Sequence, residues 1–526
     1  MSKHHSLANH YRKAGRWLAC GLLVGSAVPQ VLVAANTPET IALSTTETIS
    51  FKPVPVYLVR DTIGDSAVEV GSLVTQGKLT EAIEKLEEAA AKQTEHKEAN
   101  ALRQEAFRLK ALKREFSVDA ETMLVKIHER LPQATQADLK EWTEKNSLLW
   151  IPVDGEIRYF RREPGILFRF DDSVKKRLQA QSGGDPAGRE STGYSATKHM
   201  RAALDDAKDQ NTSVVLPMRF TASHKVTVKP GTVPAGETIR CWLPYPKENI
   251  PQQSDAKILS SSSPGKIAPD TELQRTVYFE QPAADDGSAV FEMEFEYTGA
   301  ALVVDWKKAK DELSDAEREA MQPYLQPRTP HLELTPQVRE LAQKIVGDEK
   351  RVAHKAFKIW SWLDENVGWC PEMEYVVMPN IVQKVITEGK GDCGTQGLAF
   401  VALCRAVDVP ARWQSGWVTP PRAWNMHDWA EFYAPGIGWL PVDPSRGRQK
   451  SDDPAVRDFL FGNIDSYRMI ANEDHDRDFN PSKKHFRSDP VDNQRGEVEW
   501  EGGNIYYDQM SYEVKVTSVP LKDSAE

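Results

Sequence analysis

At 526 residues the chain is longer than one hydrophobic core supports, so roughly two to four domains are expected. Hydrophobic residues at 40% and charged residues at 27% are globular values, and a net charge of −11 leaves no basic excess to displace counterions, which excludes a nucleic-acid partner. Five cysteines are too few for a disulfide framework in a chain of this length.

The N-terminus reads as a leader. His4, His5, Arg12, Lys13 and Arg16 form a basic stretch, and Trp17 to Ala35 is uncharged and largely apolar, ending Val33-Ala34-Ala35. That pattern predicts a secretory signal peptide over 1–35, cleaved after Ala35. An uncleaved membrane anchor is the alternative, but Gly21, Gly25, Pro29 and Gln30 interrupt the segment. A lipoprotein site at Cys20 fits less well, because Trp17 stands where such sites carry Leu. No later segment is apolar enough to span a bilayer, so a periplasmic or secreted protein is expected. With Cys20 in the leader, Cys241, Cys370, Cys393 and Cys404 remain. A Cys241–Cys370 bridge is conceivable in an oxidising compartment, although buried thiols are the commoner fate of sparse cysteines.

In chain order, Val54 to Arg60 reads as a short strand. From Gly77 the period becomes helical: Leu79, Ala82, Ile83, Leu86 and Ala90, then Leu102, Ala106, Leu109 and Leu112, recur at spacings of three and four. Further helices are expected around Asp119 to Arg130 and Thr135 to Lys145, before strands from Trp150. A mostly helical region thus covers 36–180, and the Gly-, Ser- and Asp-rich stretch 181–211 reads as a linker. Residues 212–305 change regime. Phe291-Glu292-Met293-Glu294-Phe295-Glu296-Tyr297 alternates strictly, and short strands separated by turn residues predict an all-β sandwich. A charged, Pro-interrupted connector over 306–335 leads to a third regime at 336–447, and a polar extension, 448–526, ends in a strand near Tyr512 to Val516.

The chemistry lies in the third regime. Gly391-Asp392-Cys393-Gly394 opens an apolar helical run through Leu398, Val401 and Ala402 that Pro410 stops. A thiol is nucleophilic as thiolate, and a helix N-terminus and a histidine both favour that form. His427 to Tyr433 reads as a strand, with His427, Trp429, Glu431 and Tyr433 on one face and Asp428, Ala430 and Phe432 on the other. Asp428 adjoins His427 but points away from it, so Asp443 after the next strand is the better partner for the imidazole. Singly, each residue has a plainer reading: a packed cysteine, a satisfied strand histidine, an Asp-Pro turn. Their joint order carries the functional one. The histidines show no paired spacing that reads as a metal-ligand set, and no cofactor is implied.

Gly391-Asp392-Cys393, His427-Asp428-Trp429-Ala430-Glu431-Phe432-Tyr433 and Gly438-Trp439-Leu440-Pro441-Val442-Asp443-Pro444-Ser445, in this order, resemble the core of the transglutaminase-like superfamily. Val409-Pro410-Ala411-Arg412 and Ser415-Gly416-Trp417 resemble its passage from helix to strand. The resemblance covers about Pro336 to Arg446 and implies an α+β, papain-like fold, with the cysteine helix packed on an antiparallel sheet. By position it implies Cys393 as nucleophile, His427 as general base and then acid, and Asp443 as the group orienting it. Papain itself separates its cysteine and histidine by roughly 130–150 residues, so this compact order sets the chain apart from it.

The reaction implied is thiol acyl transfer: attack on an amide carbonyl, a thioester intermediate, then resolution by water or by an amine. Trp369, Tyr375 and Gln396 are candidates for the second oxyanion donor, beside the Cys393 backbone N–H. Three functions stay open at this point. Hydrolysis of a peptide, isopeptide or glutamine amide, in protein or cell-envelope material, ranks first because it needs no amine site. Protein cross-linking and a non-catalytic envelope scaffold follow.

Overall fold

The computed structural model describes residues 40–42, 48–50, 63–181, 194–421 and 424–521. The expected signal peptide and the strand Val54 to Arg60 lie outside the described residues. The short pair β1 (Thr40–Ala42) and β2 (Thr48–Ser50) comes first. Three helices follow, α1 (Ser66–Thr75), α2 (Leu79–Lys92) and α3 (His96–Glu115), and Leu79, Ala82, Ile83, Leu86 and Ala90 of α2 are buried as their spacing predicts. Their core continues into that of the cysteine region, so these helices share a hydrophobic interior with Trp360, Leu398 and Phe400. A satellite cluster around Trp142 and Trp150 joins α4 (Ala120–His128), α5 (Gln136–Glu144), the hairpin β3 (Trp150–Val153) and β4 (Glu156–Tyr159), α6 (Gly165–Phe170) and α7 (Asp172–Gln181). Asp119 caps α4 by accepting from the Thr122 N–H, and Thr135 and Asp138 form a capping box on α5.

Part of the stretch expected as linker is helix. In α8 (Ala196–Gln210), Met200 and Ala203 are buried, packed with Val215, Phe459 and Leu460. Apolar residues three and four apart outweighed the polar composition.

The sandwich begins with β5 (Val214–Val228), β6 (Thr238–Pro244), β7 (Gln253–Ser261), β8 (Lys266–Ile267), β9 (Thr276–Pro282) and β10 (Ala289–Leu302). Phe291, Met293, Phe295 and Tyr297 of β10 are buried while Glu292 and Glu294 face water. The connector contributes α9 (Asp315–Ala320).

The cysteine region packs α10 (Pro336–Val346), α11 (Val352–Asn366), α12 (Ile381–Glu388) and α13 (Cys393–Arg405) with the parallel strand pair β11 (Gly368–Trp369) and β12 (Lys390–Gly391). Beside α13 runs an antiparallel sheet of β13 (Ala411–Val418), β14 (Asn425–Ala434), β15 (Gly438–Val442) and β16 (Arg468–Glu473), in the order β15-β14-β13-β16. One turn of helix, α14 (Pro454–Arg457), precedes β16. The domain is α+β, a helix bearing the cysteine against an antiparallel sheet.

The C-terminal extension returns to the sandwich. β17 (Glu497–Trp500) pairs with β6, β18 (Gly503–Ile505) with β17, and β19 (Met510–Pro520) with β5. The two sheets are therefore β19-β5-β10-β7 and β18-β17-β6-β9-β8. Between them lies a core that also takes in Trp417, Met469 and Ala471 from the cysteine-region sheet. On its way to β17 the chain passes beside the start of α13.

Candidate active site

Asp392 is the N-cap of α13, its carboxylate accepting from the Thr395 N–H at 3.0 Å, so the helix starts at Cys393. Gly394 to Arg405 are all buried, and each large apolar side chain among them contributes about 1.5–3 kcal/mol. The helix thus pins the cysteine at its first turn. Cys393 keeps partial exposure, and its sulfur opens on a cavity of about 170 Å³ whose walls include Tyr375, Asp428, Asp492 and Gln494. Cys404 is fully buried.

The sulfur lies 3.2 Å from Oδ2 of Asp428. Gln494 Nε2 donates to Oδ1 of the same carboxyl at 2.7 Å. The Tyr375 hydroxyl reaches Asp392 Oδ1 at 3.0 Å and Asp428 Oδ2 at 3.3 Å, and its single proton serves one of them at a time. A Cβ on Gly394 would fall 1.9 Å from that hydroxyl, so only glycine admits Tyr375 here. Burial pushes the Cys393 thiol well up, and the carboxyls of Asp428 and Asp392 add to it. Burial, Asp492 and Asp392 likewise push the Asp428 carboxyl well above its usual range. The expected depression of the thiol by the helix terminus is outweighed by this carboxyl-lined surround.

His427 and Asp443 meet, with Nε2 and Oδ2 2.6 Å apart. Asp443 also accepts from Arg468 Nη1 and Nη2, each at 3.1 Å, and from the Arg446 N–H at 3.0 Å. Burial opposes its charge, yet His427 and Arg468 hold the carboxyl well below its ordinary range. An ionised Asp443 is only an acceptor, so Nε2 carries the proton and Nδ1 is the acceptor nitrogen. Burial brings the imidazole down to about 4 despite Asp443.

This dyad and the thiol are on different faces of β14. His427 shares its face with Trp429, whose indole donates to Gln414, and with Glu431, which pairs with Arg412. Asp428 faces the other way, toward α13. Among the described residues no hydrogen bond links Cys393 to His427. The structure therefore brings His427 and Asp443 together and sets Asp428 where the sequence reading puts the imidazole. The alternation that separates Asp428 from His427 is legible in sequence; the face on which α13 packs is a tertiary choice.

Of the three oxyanion candidates, Gln396 spends its amide on the Gly391 carbonyl at 2.9 Å. Trp369 is 42% exposed on β11 with the Arg169 guanidinium 4.7 Å from its ring. Tyr375 alone of the three lines the cavity. Asp492 and Gln494 of the C-terminal extension also reach the site, and nothing in their local sequence marks them. Cys241 and Cys370 are free, buried thiols. Among the described residues no group of three or more His, Cys, Asp or Glu side chains is arranged to hold a metal ion, and no helix is long and apolar enough to cross a membrane.

Residues 339–444 match the model of the transglutaminase-like superfamily, so the segment holding Cys393, His427 and Asp443 is a transglutaminase-like domain. In particular, the chain is similar to an uncharacterized protein of Haemophilus influenzae, 31% identical over 197 residues, 30% of this chain and 51% of that protein. It is also similar to the uncharacterized protein YebA of Bacillus subtilis, 29% identical over 133 residues, 22% of this chain and 18% of that protein. The chain thus spans about half or less of the curated relatives it matches. Among solved structures it is similar to a cysteine-protease candidate from Cytophaga hutchinsonii, 18% identical, covering 60% of this chain and 94% of that one, TM-score 0.41. The periplasmic domain of TgpA from Pseudomonas aeruginosa is 16% identical, covering 43% and 87%, TM-score 0.24.

Proposed function

We propose that this chain is an exported thiol acyl-transfer enzyme in which Cys393 attacks the carbonyl of a peptide, isopeptide or glutamine amide and water resolves the thioester. The observation that carries this reading is Cys393 at the first turn of a buried helix, lining a cavity with its sulfur 3.2 Å from a carboxyl oxygen. The leader-like N-terminus supports export.

In the arrangement present, Asp428 is the group placed to take the thiol proton. Burial raises the proton affinity of both groups, and the ionised form of Asp428 is the one that accepts the thiol proton. As Sγ attacks, its proton passes to Asp428, and the tetrahedral oxyanion is met by the Cys393 N–H and the Tyr375 hydroxyl. Asp428 returns the proton to the departing amine, the C–N bond breaks and a thioester remains. Water then attacks with Asp428 accepting its proton, releasing the carboxylic acid and the thiol. The triad expected from sequence would give the base role to His427, oriented by Asp443. It needs the imidazole to come to the cavity face of β14.

A second reading, a non-catalytic envelope-binding protein, is favoured by one observation: the carboxyls around Cys393 disfavour a free thiolate. Incubation of a glutamine- and isopeptide-containing peptide library, with and without a labelled primary amine, separates the readings. Release of ammonia or peptide that disappears in Cys393→Ala is the expected result. Amine incorporation would make the chain a cross-linker, and product formation unchanged by Cys393→Ala would end the thiol reading.

A further inference from the structure

The C-terminal extension does more at this site than pass it. The two amide hydrogens of Gln494 Nε2 are shared among Asp428 Oδ1 at 2.7 Å, the His427 carbonyl at 3.0 Å and the Gly416 carbonyl at 3.1 Å, which ties that carboxyl to the backbone of β14 and β13. Asp492 is buried and hydrogen-bonded to Ser415, the residue directly opposite Asp428 across the β13–β14 pair. Asn472 Nδ2 donates to the Ser415 hydroxyl oxygen at 3.1 Å, leaving the hydroxyl proton for Asp492. The loop is itself held from both sides. Asn493 donates to the Trp242 carbonyl of the sandwich at 3.0 Å, and Arg487 to the Asp492 carbonyl at 2.7 Å.

We propose that Asp492 and Gln494 are positioning residues of the active site, which the extension delivers from the sandwich to hold the Asp428 carboxyl against Cys393. This rests on Cys393 being the nucleophile. The groups around Asp428 are Cys393 and Asp392 at the start of α13, Tyr375 from the segment after β11, and Asp489, Asp492 and Gln494 from the extension; Glu372, Glu374, Arg162 and Arg495 also line the cavity, the two guanidiniums both paired with Glu374. Several carboxyls this close cannot all ionise, so they share protons. Asp492 and Gln494 act on Asp428 in opposite senses. A charge on Asp492 opposes ionisation of Asp428, whereas the Gln494 amide hydrogen bond favours it.

The opposition gives a test that plain loss of structure would not imitate. The rate of Cys393 alkylation by iodoacetamide is measured against pH on the full chain, with the modified site located by peptide mass mapping. Cys393 and Asp428 share a proton in the proposed mechanism, so the first inflection reports ionisation of the pair; Asp492→Asn is expected to move it to lower pH by about one unit or more, and Gln494→Ala to higher pH. Gln494→Glu, which adds a charge, is expected to move it further up than Gln494→Ala. If Asp492→Asn does not fold, the ordered shifts of Gln494→Ala and Gln494→Glu still decide the proposal. Wild-type profiles in cooperatively folded variants would overturn the proposal while leaving the nucleophile in place. A wild-type Cys393 no more reactive than Cys404 would instead overturn the nucleophile, and the proposal with it.

Discussion

The sulfur of Cys393 is 3.2 Å from the carboxyl of Asp428, on the face of β14 opposite the one that carries His427 and its partner Asp443. Asp428→Asn keeps the shape and removes the base, so kcat is expected to fall about 100-fold or more, within the usual contribution of a general base. His427→Ala is expected to cost far less if the imidazole stays on its own face. Rates for both variants on one peptide substrate decide the matter. Loss through His427 with little effect of Asp428→Asn would restore the triad.

Tyr375 is the cavity hydroxyl best placed to meet an oxyanion. Removal of a single oxyanion donor typically costs on the order of 100- to 1000-fold in kcat. Tyr375→Phe should show that loss with only a small fall in melting temperature, because the ring still fills its place and one hydrogen bond is lost. Gly394→Ala tests the same contact from the other side: its methyl would sit 1.9 Å from the hydroxyl and force the ring away. Equal activity of the two variants and wild type would remove Tyr375 from the mechanism.

Much of this was readable in the sequence, and what was not has a physical reason. Local signals were strong: the helix opening at Gly391-Asp392-Cys393-Gly394, Pro410 as stop, the strict alternation of β10, and the opposed faces of β14. What sequence could not say is which of those faces α13 would cover, because both carry large apolar residues, Trp429 on one and Phe432 on the other. Likewise β19 pairs with β5, nearly three hundred residues away, and no local pattern announces such a partner. Asp492 and Gln494 were invisible for the same reason, since they act only where the extension meets the sheet.

Acid stability should report on the His427–Asp443 pair. His427 titrates near 4 in the fold against about 6.5 in an unfolded chain, so between those values the unfolded state binds the extra proton. Stability is therefore complete above pH 6.5 and falls as the pH drops toward 4, by at most about 1.4 kcal/mol per pH unit for one proton. Asp443, held low, adds a loss in the same sense below about pH 4. His199, His224 and His475 are lowered too, so His427→Gln should reduce the slope of melting temperature against pH between 4 and 6.5 without abolishing it. An unchanged slope would mean that the imidazole is not buried as described.

The N-terminal helices reach the site through a buried ion pair. Arg108 and Glu105 of α3 are both almost inaccessible, joined at 2.6 Å, and Arg108 Nη1 donates to the Val377 carbonyl at 3.1 Å, two residues beyond Tyr375. Arg161 and Arg162 reinforce the clamp by pairing with Glu374, the residue before Tyr375. Removing one member of a buried pair strands the other's charge and costs about 3–5 kcal/mol, whereas replacing both by apolar residues of similar volume is often near neutral. Arg108→Met should therefore lower the melting temperature strongly, and Glu105→Leu/Arg108→Met should recover most of it. The double variant still lacks the bond to Val377, so its kcat should stay below wild type after stability returns. Full recovery of both would show that α3 supports the fold without placing Tyr375.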